Sequence, residues 1–79
     1  MAASAQDIKG WFDEAVRKGA THMVVVCDTY DWDDYPVYCM TQEEVEAKLR
    51  RPGDMQRIME VYKISMGWDA QKYGRVHNV

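Results

Sequence analysis

The stretch "THMVVVCDTY", Thr21 to Tyr30, constrains this chain more than any other. Three consecutive valines lose side-chain freedom in a helix and sit well on a pleated strand. A glycine before the run and an aspartate cluster after it mark both ends. A second strand signal, "YPVYCM", begins at Tyr35, and the intervening "DWDD" is turn chemistry. The pair therefore reads as a β-hairpin. Pairing Tyr30 with Pro36 across a five-residue loop puts Met23, Val25, Cys27, Val37 and Cys39 on one face. Val24, Val26, Asp28, Tyr30, Tyr38 and Met40 then share the other. In that register Cys27 lies opposite Cys39, within reach of a disulfide, although two buried thiols acting as small hydrophobes is the preferred reading. A slip of one residue abolishes that pairing.

Helices are predicted on either side of the hairpin. Ser4 is an N-cap candidate with Asp7 completing a weak capping box. Ile8, Trp11, Phe12 and Ala15 recur at helical spacing, and Val16 widens the stripe. Trp11 and Phe12 are read as core anchors rather than a ligand platform. Arg17 and Lys18 suit the helix C-terminus, and Gly19 ends it. The second helix starts at the capping box "TQEE", Thr41 to Glu44, carries Val45 and Leu49 inward, and stops at Pro52-Gly53. "MQRIMEVYKISM" fits either period. A strand from about Arg57 to Ile64 is preferred, because a hairpin alone is marginal and this segment completes a sheet. A right-handed crossover lays it parallel to "YPVYC" and makes the valine run central.

The predicted fold is α+β, in the order α-β-β-α-β, with a three-stranded antiparallel sheet and two helices packed on one face. At 79 residues the chain is expected to form a single domain, its tail fraying from about residue 67 after one helical turn near "DAQKY".

Several function classes recede on composition. No apolar run approaches the roughly 20 residues that span a bilayer, and "MAASAQD" lacks the features of a secretory signal. A cytoplasmic location is expected, with both cysteines reduced. No C-x-x-C occurs and His22 and His77 lie far apart, which disfavours zinc. No Lys or Arg occurs between Gly19 and Ala47, a segment that holds Asp28, Asp31, Asp33, Asp34, Glu43, Glu44 and Glu46. Duplex nucleic acid is disfavoured by that run.

The aspartates of the tip have the acid density of a calcium loop without its glycine or closing glutamate. Cys27 and His22 lie on opposite faces of one strand, which argues against a dyad. Asp28 with Glu60 is the remaining acid–base pair, and an exposed Asp on a sheet is more often simply solvated. No cofactor is expected, and an enzyme is disfavoured. If both helices cover one face, the other exposes Val24, Val26, Tyr30, Tyr38 and Met40, with Ile58, Tyr62 and Ile64 as further candidates. Such a patch suits a homodimer or partner interface, unless the tail, with Trp68 and Tyr73, folds over it. Trp32, flanked by Asp31, Asp33 and Asp34 beside Tyr30, is a second candidate anchor.

At "GATHM" (19–23), "VVCDT" (25–29), "DYPVY" (34–38) and "MQRIMEVY" (55–62) the chain resembles a group of small proteins encoded in bacteriophage and prophage genomes. The resemblance covers more than half the chain and brings no catalytic residues. It implies expression inside a bacterial host. The expected function is a non-enzymatic binding protein acting stoichiometrically on a host protein through an open sheet face and the acidic tip. The alternatives are an oligomer that sequesters a small anionic ligand such as a nucleotide, using Arg57, Lys63 and Arg75, and, last, an aspartate-based metal enzyme.

Overall fold

The computed structural model describes residues 4–71 and 76–78. Helix α1 runs Ala5–Lys18, strands β1 and β2 run His22–Asp28 and Asp33–Cys39, α2 runs Gln42–Arg50, and β3 runs Gln56–Lys63. The sheet order is β2-β1-β3, both pairings antiparallel, so the valine strand is central. The class and the element order are those expected from sequence. Among the described residues no helix is long and apolar enough to cross a membrane.

Local signals set the helix ends. The Ser4 hydroxyl accepts the Asp7 N–H and the Asp7 carboxylate accepts the Ser4 N–H, a complete capping box. Gly19, at φ 73°, closes α1 in the left-handed conformation that glycine adopts most cheaply. At α2 the Thr41 hydroxyl accepts the Glu44 N–H, but the Glu44 carboxylate reaches one residue further back, to the Met40 N–H at 2.6 Å.

The helices do not share a face, and this corrects the sequence expectation. Phe12 and Ala15 of α1 pack on Met23, Val25 and Tyr62, with Trp11, Tyr38 and Trp68 around them. Val45 of α2 packs on Val24, Val26, Cys39 and Val61. Alternate residues of β1 point to opposite sides, so α1 and α2 clasp the sheet between them. The physical reason is the valine run, which is apolar on both faces and therefore needs covering on both. Val16 does not widen the stripe of α1; it is 54% exposed.

The hairpin register also differs. Asp28 faces Asp33, Cys27 faces Asp34 and His22 faces Cys39. The loop is four residues long rather than five, which moves every β2 side chain to the other face relative to β1. Tyr38 consequently joins the α1 side, where Lys18 Nζ lies 5.5 Å from its ring centroid. Cys27 and Cys39 are both free thiols. In β3 the pairing to β1 shifts between Val25 and Val26, so one residue bulges there.

The described part of the tail is docked, contrary to the expected fraying. Trp68 stacks on Tyr62 at 5.7 Å and meets Phe12 at 5.6 Å. Gln71 is buried, its amide donating to the carbonyls of Lys63 and Gly67 and its oxygen accepting the Lys63 N–H. Val61 N–H donates to Val76 O and Asn78 N–H to Val61 O, covering the outer edge of β3. Most of the "DAQKY" turn's end, together with Tyr73 and Arg75, lies outside the described residues.

Candidate functional site

The expected partner surface was one sheet face plus the hairpin tip, and the structure separates them. Tyr62 is only 3% exposed, enclosed by Phe12 and Trp68. Its hydroxyl donates to Glu60 Oε1 at 2.7 Å. Burial first, and that carboxylate second, push its ionisation well above the usual tyrosine range. Tyr38 is half-buried under α1. Met40 is exposed, but beyond Cys39 at the far end of the hairpin from the tip. Neither sheet face is left open, so Tyr38, Met40 and Tyr62 do not form one patch with the tip.

The tip holds together. Asp28 and Asp33 close a loop of Thr29, Tyr30, Asp31 and Trp32. Asp28 organises it twice: its Oδ1 accepts the Tyr30 N–H at 2.8 Å and its carbonyl accepts the Trp32 N–H at 2.6 Å. The first is an Asx turn and the second a one-turn i→i+4 closure. Thr29 N–H donates to Met55 O at 2.7 Å, tying the loop to the start of β3. The tip is therefore braced from both sides of β1.

Two residues there have left-handed backbones without being glycine, Trp32 at φ 59° and Met55 at φ 58°. For a bulky side chain that conformation costs roughly 1–2 kcal/mol. Both side chains nevertheless face solvent. Tyr30 is 74% exposed, Trp32 60%, and Met55 more than half. Three large apolar groups thus stand at one end of the molecule beside Asp31, Asp33 and Asp34. The acids are felt locally: burial first, and then Asp34 through a hydrogen bond and its charge, raise the Cys27 thiol, while burial and then Asp28 raise Tyr35.

Other chemistries found in the sequence do not assemble. Asp28 and Glu60 are not paired; one serves the Tyr30 N–H and the other the Tyr62 hydroxyl. Among the described residues no group of three His, Cys, Asp or Glu side chains could hold a metal ion. Arg57 lies opposite Cys27 and Lys63 opposite His22, at opposite ends of β3, so they do not make one anion site.

A second cluster was not legible in the sequence. Cys39, His22 and Lys63 lie side by side across β2, β1 and β3, on the face that α2 covers. It depends on the hairpin register and on the pairing of β1 with β3, neither of which leaves a mark on residue order. Comparison with protein-family models, with curated proteins and with solved structures finds no match.

Proposed function

We propose that the chain is a small non-enzymatic binding protein that acts stoichiometrically on a partner protein through its hairpin tip. Trp32 is the anchor, Tyr30 and Met55 flank it, and Asp31, Asp33 and Asp34 form the rim. The observation that carries this reading is Trp32 itself: an indole 60% exposed on a backbone at φ 59°, where glycine or asparagine would sit without strain. Exposed Trp and Tyr are the side chains that most often carry binding energy when they enter a pocket. The surrounding acids favour a pocket with a basic rim and repel nucleic acid. The resemblance to phage-encoded proteins points to a host protein as that partner.

Native mass spectrometry of the tagged chain drawn gently from bacterial lysate tests this. The reading expects a retained protein in fixed ratio that disappears with Trp32→Ala while the variant stays folded. Truncating an anchor typically costs about 2 kcal/mol or more, near thirtyfold in affinity. A protein retained equally by wild type and Trp32→Ala would overturn it, as would a higher oligomer carrying only a small molecule.

A further inference from the structure

The end of the sheet opposite the tip carries a separate feature. A cavity of about 400 Å³ is lined by Thr21, His22, Gln42, Lys63 and Ser65 among others. That volume lies in the range of small-molecule sites. His22 is 2% exposed, and its Nε2 is fully buried without a hydrogen-bond partner. Buried polar atoms in folded proteins are nearly always paired, so an orphan needs an explanation.

The protonation of this imidazole can be read from its neighbour. His22 Nδ1 lies 2.9 Å from Thr21 Oγ1, and the Thr21 hydroxyl donates to Cys39 O at 3.2 Å. With its hydrogen committed there, Thr21 accepts from Nδ1–H, which leaves Nε2 bare in the neutral ring. Burial first, and the Lys63 charge second, lower the His22 pKa and keep the ring neutral. Cys39, across β2, is a thiol whose ionisation is raised by burial, then by Glu44. From α2, Glu44 accepts the Met40 N–H, and Lys48 Nζ donates to Pro52 O and Gln56 Oε1. Lys63 has no ion pair among the described residues.

We propose that this cavity binds the oxyanion group of a small molecule, a carboxylate or a phosphate, between Lys63 Nζ and His22, which takes up a proton from solvent as the anion enters. The anion cancels the Lys63 field that opposes a charged imidazole. Nε2 is enclosed, so the ring turns toward the anion for the new Nε2–H to find its acceptor. Gln42 and Ser65 supply neutral donors at the same cavity. Binding is therefore coupled to protonation, and the coupling is reciprocal. The proposal does not rest on the partner-binding reading, since the two sites lie about 20 Å apart along β1, a strand length away.

The test is a pH titration of the two histidine rings by NMR on the full chain. It is run in chloride, in acetate and in inorganic phosphate at equal ionic strength. His77, whose Nε2 lies 3.3 Å from Met59 O at an exposed position, is the internal control. In phosphate or acetate the His22 midpoint should rise by about one pH unit over its chloride value, equivalent to roughly tenfold tighter anion binding to the protonated form. His77 should not follow. A larger response to phosphate assigns the site to phosphate esters, and a larger response to acetate assigns it to carboxylates. In Lys63→Met the anion response should vanish. The proposal is overturned if His22 ignores both anions, if His22 and His77 move together, or if the response survives in Lys63→Met. The wild-type comparison alone decides the matter should that variant fold poorly.

Discussion

Val45 is the single buried residue of α2, fully enclosed by Val24, Val26, Cys39 and Val61. If α2 clasps the second face of the sheet, Val45→Ala removes two methyl groups from a closed core. At about 0.8 kcal/mol for each methyl-sized group, with a cavity contribution added, the loss is about 2 kcal/mol. Alanine's higher helix propensity returns about 0.5 kcal/mol. A net destabilisation of about 1.5 kcal/mol is expected, which is large against the ~4–12 kcal/mol total typical of a chain this size. In urea, with a slope near 1 kcal/mol per M for a small domain, the midpoint should fall by about 1.5 M with the slope unchanged. Val16→Ala, on the exposed side of α1, is the matched control and should stay within about 0.5 kcal/mol. Equal small effects from both substitutions would refute the two-sided architecture, because a helix resting loosely on the sheet would lose little on truncation.

Other consequences can be checked directly. His22 is held below its unfolded value of about 6.5, so the folded state binds fewer protons than the unfolded one. Stability should be fully present above pH ~6.5 and fall as pH drops below it, and His22→Gln should flatten that slope in urea midpoints. Tyr62 is shifted the other way, so its contribution is present below pH ~10 and lost as the unfolded phenol ionises above that; Tyr62→Phe should blunt alkaline unfolding. Because Cys27 faces Asp34 and Cys39 faces His22, mild oxidation of the native chain should leave two free thiols, whereas a shifted register would allow an intramolecular disulfide seen as altered non-reducing mobility. Trp32 is 60% exposed, so Trp32→Ala should change the unfolding free energy by no more than about 0.5 kcal/mol.

The elements of the fold were legible because their signals are local. Ser4 with Asp7, Gly19, and Thr41 with Glu44 act within one helical turn, and each forms the hydrogen bonds its residue type implies. The hairpin register is a relation across space and carries no such local signal. A four-residue loop at 29–32 with tryptophan in a left-handed conformation is not a pattern that residue preferences suggest over a five-residue loop at 31–35. The five-residue loop places Tyr38 on the wrong side and pairs two cysteines that never meet. The two-sided covering was nevertheless written in β1. Met23 and Val25 alternate with Val24 and Val26, all apolar, and a strand apolar on both faces calls for a layer on each. At the candidate sites, Tyr30, Asp31, Trp32, Asp33 and Asp34 stay together because they are neighbours in sequence. Tyr62 left the set once α1 and Trp68 closed over it. The Cys39–His22–Lys63 row depends on the pairing of three strands, and no local motif announces it.

Hydroxyl-radical footprinting asks whether the proposed tip surface meets a protein partner. The tagged chain is footprinted once alone and once in the complex it assembles in bacterial lysate. Several-fold protection of Tyr30, Trp32 and Met55 is expected in the complex, with Met40 and Met66, exposed at the other end, reacting at their free rates. Trp32 oxidised at the rate of the free chain, while a different surface becomes protected, would contradict it.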